Sequence, residues 1–238
     1  MLKYILFDLD GTLLPMNQEV FIKSYFKEIS ITMKPYFPDS KKLIDSIWAG
    51  TKAMMKNDGS MTNEKRFWNM FATIYGEDVL KYRDKFDSFY KNDFPKTKKD
   101  VGYNAMAKEC VEILKDKGYT LVLATNPIFP STATYHRADW AGVKTSDFEL
   151  ITTYENSTFA KGNMNYYKEI LAKIGASAEQ CLMVGNDVSE DMSVSEINMQ
   201  TYLMKDCIIN SQNKDINNIP QGNFADFKKY IEKLPNIK

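Results

Sequence analysis

The chain is short of the residues on which several common chemistries depend. It has one histidine, His136, and three cysteines, Cys110, Cys181 and Cys207, scattered through 238 residues. No Cys-x-x-Cys pair occurs, so a structural zinc site lacks its ligands. Three isolated cysteines make no disulfide framework and fit a reducing cytosol. Ser-His-Asp and Cys-His mechanisms would both hang on His136, which falls in a helical stretch and reads as a packing residue. Only three arginines are present, Arg66, Arg83 and Arg137, and 31 basic residues balance 31 acidic ones. No polyanion-binding surface follows, so a nucleic-acid polymer is not an expected partner. No apolar run reaches bilayer-spanning length, and the segment Met1–Phe7 meets Asp8 too soon for a signal peptide. The expectation is a cytoplasmic protein without a membrane partner. Nucleotide-binding loops of the Gly-x-x-x-x-Gly-Lys or Gly-x-Gly-x-x-Gly kind are missing. Internal repeats and low-complexity tracts are missing as well.

What is present is a core-forming composition, 44% apolar, in a chain long enough for one large domain or one domain with an insert. Residues 3–8 form a short apolar run that ends in Asp8, Asp10 and Gly11, the pattern of a buried parallel strand opening into a loop. Residues 17–95 then show helical periodicity only. The stripes are Val20, Phe21, Tyr25, Phe26, Ile29; Leu43, Ile44, Ile47, Trp48; Phe67, Trp68, Met70, Phe71, Ile74; and Leu80, Phe86, Phe89, Tyr90. Breaks fall at Pro35–Pro38, Asn57–Gly59, Gly76 and Pro95. These stripes read as a core, not as a cofactor box.

After Pro95 strands and helices alternate. The expected strands are 120–124, 149–152, 181–184 and, last, 200–204. The expected helices are 104–117, 131–140, 163–174, 190–197 and 224–234, with 209–223 a surface loop. Alternation of this kind predicts an α/β fold: a doubly wound parallel sheet with helices on both faces and an inserted α-helical block. The division is 1–16 plus 96–238 for the core domain and 17–95 for the insert.

Ligands of open parallel sheets bind beyond the carboxyl ends of the strands. Those ends carry Asp8 and Asp10, Thr125 and Asn126, and Asn186, Asp187 and Asp191, with Lys161 in the loop before a helix. A phosphate monoester is a dianion that repels an attacking carboxylate unless positive charge lies between them. Mg²⁺ provides that charge through a few hard oxygens. Asp8 and Asp187 offer side-chain oxygens and Asp10 its backbone carbonyl. Asp8 is then placed to attack phosphorus. Lys161 and Thr125 would hold the phosphoryl oxygens. Asp10 would protonate the leaving oxygen and later activate water, a task that needs a raised pKa.

Asp8-Leu9-Asp10-Gly11-Thr12 after an apolar strand resembles the first motif of the haloacid dehalogenase superfamily. Leu123-Ala124-Thr125-Asn126 is similar to its second motif, which binds phosphate. Lys161 fits the third, with Gly162 where a proline often follows. Met183 to Asp191 resembles the fourth, an acidic metal-binding loop. There Gly185-Asn186-Asp187 replaces the frequent Gly-Asp. On this resemblance Asp187 is the direct metal ligand, and Asn186 and Asp191 orient waters or Lys161. Asp139-Trp140-Ala141-Gly142 superficially resembles the nucleophile loop of phosphonoacetaldehyde-cleaving relatives, but it follows no strand and reads as a helix end.

The resemblance implies a Mg²⁺-dependent phosphatase acting on a small phosphorylated metabolite. A sugar-phosphate mutase is the alternative enzyme, and a catalytically idle binding or regulatory protein a third reading. Dehalogenases of the superfamily lack an acid at the position of Asp10. The α-helical insert, 17–95, resembles the family's helical cap domain, where substrate choice is expected and Lys52, Lys56, Arg66 and the turn 57–60 are candidates without assigned roles.

Overall fold

The computed structural model describes all residues from Met1 to Lys238. Six parallel strands make one sheet: β1 (Tyr4–Phe7), β2 (Thr120–Leu123), β3 (Leu150–Ile151), β4 (Cys181–Gly185), β5 (Gln200–Met204) and β6 (Gln221–Gly222). Their order is β3-β2-β1-β4-β5-β6. The chain thus builds outward from β1 to β3, returns to the other side of β1, and builds outward again. The reversal of direction lies between β1 and β4, paired in register from Tyr4 with Cys181 to Phe7 with Val184.

The central strands are largely apolar because both faces are covered. Alternate residues separate cleanly. Ile5, Phe7, Leu121, Leu123, Leu182 and Val184 face one core. Leu6, Val122, Cys181 and Met183 face the other. The first face is covered by α5 (Ala105–Asp116) and α8 (Phe224–Glu232), whose Leu114, Phe227 and Ile231 are fully buried. The Phe7 and Phe227 rings meet edge to face at 5.9 Å. The second face is covered by α7 (Met164–Ile174) and the 3₁₀ turn Met192–Ile197. Helix ends follow local chemistry: the Asn163 side chain accepts from Asn165 N at the start of α7, and Gly175 closes it in the left-handed conformation.

Residues 17–95 are helical, as the periodicity predicts. They form α1 (Gln18–Met33), α2 (Ser40–Met55), α3 (Asn63–Tyr75) and α4 (Arg83–Asn92), plus 3₁₀ turns at Glu77–Tyr82 and Phe94–Asp100. Phe21, Tyr25, Ile29 and Met33 recur at every fourth position of α1 and are buried. With Leu43, Ile47, Phe67, Phe71, Phe86 and Phe89 they join the first sheet core in one cluster of 43 residues. The block is tied down by Asn63, fully buried at the first position of α3. Its Nδ2 donates to the carbonyls of Pro127 and Phe159, both at 3.1 Å. The two chain crossings also hold each other: Met16 bridges Val101, and Gly102 N donates to Pro15 O at 2.7 Å.

Four expectations need correction. Met204 does not end the last strand, because Gln221 and Gly222 add a sixth inside the loop expected at 209–223. The helix expected at 190–197 is a 3₁₀ turn that stops at left-handed Asn198. Val20 and Trp48 are exposed although they belong to apolar stripes. Leu80 is also exposed and Val79 buried in its place, since three residues per turn shift the inward position of a 3₁₀ segment. No helix is long and apolar enough to cross a membrane.

Candidate active site

The loop that leaves β1 is wound tightly on itself. Leu14 N donates to Leu9 O at 2.8 Å and Gly11 N to Leu14 O at 2.8 Å. Gly11 has φ +87°, a left-handed conformation that side chains resist. A Cβ there would also fall 2.4 Å from Asn186 Nδ2. Thr12 fastens the loop from inside: its hydroxyl lies 2.9 Å from Asp8 Oδ2 and 3.1 Å from Asn186 Oδ1, sharing one proton between them.

Asp8 is buried, and its other oxygen, Oδ1, accepts from Lys161 Nζ at 2.5 Å. The same ammonium donates to Asp191 Oδ1 at 2.7 Å. Burial alone would depress the Lys161 ammonium, but Asp191 and Asp8 outweigh it and hold the pKa well above the lysine range. Burial pushes the Asp191 carboxyl up, while Lys161 draws it back towards the ionised form. Asp191 Oδ2 accepts from Asp187 N at 3.0 Å. Asp187 Oδ1 accepts from Ser189 N at 2.7 Å and Glu190 N at 2.9 Å. The acidic loop is therefore stiffened by its own carboxylates.

Asp10 meets a partner that the sequence did not single out. Arg137, 1% exposed, reaches from α6 (Ser131–Trp140) and its Nη1 donates to Asp10 Oδ2. The guanidinium is fixed by donating from Nε to Ala133 O and from Nη2 to Thr134 Oγ1, each at 3.3 Å. Its carbon lies 4.6 Å from the Phe129 ring centroid. Burial raises the Asp10 pKa above its ordinary value; Arg137 opposes this and Asp8 adds to it. Asp10 Oδ1 is buried without a partner.

Thr125 and Asn126 continue from β2. The Thr125 carbonyl accepts from Thr152 Oγ1 at 2.6 Å and Tyr166 OH at 2.8 Å, which locks the backbone and leaves the hydroxyl outside that network. Asn126 Oδ1 accepts from Lys161 N at 3.3 Å, so this amide also ties two loops together. Gly162 has φ +87°, a value the proline ring cannot adopt. The departure from the usual Lys-Pro pair thus follows from how the loop enters α7.

All eight residues singled out from the sequence, Asp8, Asp10, Thr125, Asn126, Lys161, Asn186, Asp187 and Asp191, line one cleft of about 200 Å³. Glu190 lines it too. Burial, with Asp187 and Asp191 adding to it and Lys161 opposing, pushes the Glu190 carboxyl up to about 7. His136 stays out of the cleft lining and lies beside Phe94 and Trp140, at 6.5 and 6.3 Å between centroids. Trp140 is the last residue of α6, so Asp139–Gly142 is a helix end. Arg66 closes the turn after α2, donating to Asn57, Asp58 and Ser60.

Residues 2–194 match the sequence model of the haloacid dehalogenase-like hydrolases. No curated protein matches the chain. Among solved structures, a HAD phosphatase from Thermococcus onnurineus is similar with a TM-score of 0.60 at 16% identity, over 99% of this chain and 100% of that one. A 2-haloacid dehalogenase from Pseudomonas syringae pv. Tomato DC3000 is similar with a TM-score of 0.60 at 17% identity, over 98% and 99%. The HAD-hydrolase YfnB from Bacillus subtilis, bound to magnesium, is similar with a TM-score of 0.57 at 19% identity, over 97% and 99%. At such identities these structures speak for the shared fold. The match over most of the length makes this chain a member of the haloacid dehalogenase-like hydrolases.

Proposed function

We propose that the chain is a magnesium-dependent phosphatase that hydrolyses a small phosphate monoester through an aspartyl-phosphate on Asp8, with residues 17–95 as its cap. The observation that carries this reading is the second carboxyl of the loop. Asp10 stands two residues from Asp8, lines the same cleft, and has a pKa raised by burial. Carbon–halogen cleavage has no leaving oxygen to protonate. Ester cleavage does, and a carboxylic acid of raised pKa supplies that proton.

The donor set suits a hard cation. Five carboxylates, Asp8, Asp10, Asp187, Glu190 and Asp191, line the cleft against one lysine. A phosphate dianion meets repulsion there unless a cation intervenes. Magnesium keeps several waters and takes few protein ligands. Asp8 and Asp187 would hold it by side chain and Asp10 by backbone carbonyl, with Asn186 and Asp191 behind them. When bound it neutralises charge between carboxylate and phosphoryl oxygens.

The chain's own residues then divide the work. Asp8, oriented by Thr12 and Lys161, attacks phosphorus and forms the acyl-phosphate bond as the ester oxygen leaves. Asp10 gives its proton to that oxygen and afterwards takes one from the water that cleaves the acyl-phosphate. Lys161 and the Thr125 hydroxyl, with Asn126 beside them, hold the phosphoryl oxygens. Lys161 is held in turn by Asp191. Release of inorganic phosphate from 4-nitrophenyl phosphate with Mg²⁺, lost in Asp8→Asn, tests the proposal. Interconversion of hexose phosphates without phosphate release would instead show a mutase. Neither activity over a broad panel would overturn the enzyme reading.

A further inference from the structure

A second cavity, of about 70 Å³, opens beside the catalytic cleft between the helical block and the core. Ile22, Ile128 and Phe129 line both, so the two spaces share a wall. The rest of the lining is strongly aromatic, with Tyr25, Phe26, Trp48, Phe67 and Tyr90. Trp48 and Phe26 pack with ring centroids 5.3 Å apart, and Trp48 stays 47% exposed at the rim.

The polar groups of this second cavity are largely spent on each other. Thr51 Oγ1 donates to Ile47 O at 3.0 Å. The Tyr25 and Tyr90 hydroxyls bond each other at 2.9 Å, which leaves one hydroxyl proton to offer. No lysine, arginine, histidine, asparagine or glutamine lines it. In the catalytic cleft the helical block contributes Gln18, Phe21 and Ile22, and the one cation, Lys161, is already paired with two carboxylates. Within the side cavity a leaving group rich in hydroxyls would lose its water and gain at most one hydroxyl proton, and a carboxylated or second phosphorylated one would find no cation. An apolar leaving group would gain from burial against the rings.

We infer that this side cavity is the leaving-group subsite and that the preferred substrate is the phosphate monoester of an uncharged alcohol with an aryl or alkyl body. The subsite rests on the phosphatase reading for its role in turnover, but its affinity for the alcohol does not. Each methylene seated there strengthens binding by roughly fourfold.

Two measurements test it. The first compares kcat/KM, with Mg²⁺, for 2-phenylethyl phosphate and glycerol 3-phosphate, both esters of primary alcohols. The expected result is a preference of at least about tenfold for the phenylethyl ester, shrinking several-fold in Trp48→Ala and in the half-buried Phe26→Ala. Equal rates, or a preference for the glycerol ester, overturn the subsite. The second is saturation-transfer NMR on metal-free protein with 2-phenylethanol and glycerol as probes. Transfer to 2-phenylethanol alone, weakened by either substitution, supports the subsite, and equal transfer to both alcohols overturns it. Release of phosphate from neither ester nor from 4-nitrophenyl phosphate and a broad panel defeats the phosphatase reading, while the NMR result still decides the subsite.

Discussion

Arg137 and Asp10 lie 127 positions apart and meet as a half-buried ion pair, with the guanidinium only 1% exposed and the carboxyl 21%. Arg137 belongs to the helix that starts just after the second motif, and Asp10 to the loop of the first. Removing one member of a buried pair leaves the other charge uncompensated. Arg137→Met is expected to destabilise the fold by on the order of 3 kcal/mol in urea unfolding. Adding Asp10→Asn should restore much of that loss, so the double variant costs less than the sum of the two single ones. Additive losses would show that the pair contributes nothing jointly.

On the proposed mechanism Asp8 and Asp10 fail differently. Asp8→Asn should abolish phosphate release, since no acyl-phosphate can form. Asp10→Asn should lower kcat by roughly 10²- to 10⁴-fold. With an activated aryl ester, which needs little protonation to leave, it should let phosphorylated protein accumulate in a rapid-quench experiment. Equal residual rates for the two variants would contradict the division of roles.

Glu190 gives a pH signature. Its folded-state pKa, pushed up to about 7, lies above the ordinary glutamate value, so the fold favours the neutral acid. Stability tied to that neutral form is complete at low pH and is lost as pH rises through about 7. Glu190→Gln removes the titration. In chelator, melting temperatures of the variant and the parent should diverge in the variant's favour between about pH 5 and about pH 8. A constant difference across that range would show that Glu190 ionises freely.

Gly11 tests geometry without removing a functional group. Alanine at φ +87° is strained, and its Cβ would collide with Asn186 Nδ2 at 2.4 Å. Gly11→Ala should cost on the order of 1–3 kcal/mol of stability and depress kcat more than KM, because the strain lies in the loop that carries Asp8 and Asp10. Chemical denaturation and steady-state kinetics read the two effects.

The acids, Thr125 and Lys161 were legible in the sequence because each stands at the end of a strand or at the mouth of a loop, where local pattern and position coincide. Arg137 was not. Its function depends on where α6 lies against the first loop, and a side chain within a helix carries no sign of such a long-range meeting. Glu190 was hidden for a related reason, since its rise in pKa depends on neighbours brought in by folding. β6 has two residues, too few to show a strand period. Periodicity also misjudged Leu80, because a stripe drawn at 3.6 residues per turn drifts across a 3₁₀ segment.

The fastening of the helical block has a consequence for how the molecule comes apart. Its crossings are paired to each other, Asn63 anchors its far side to Pro127 and Phe159, and its buried aromatic residues belong to the same 43-residue cluster as one face of the sheet. Helical block and sheet domain are therefore expected to unfold as one cooperative unit. Trp48 and Trp68 in the block and Trp140 beyond it stand as reporters on the two sides of the boundary, and a single denaturation midpoint should serve all three.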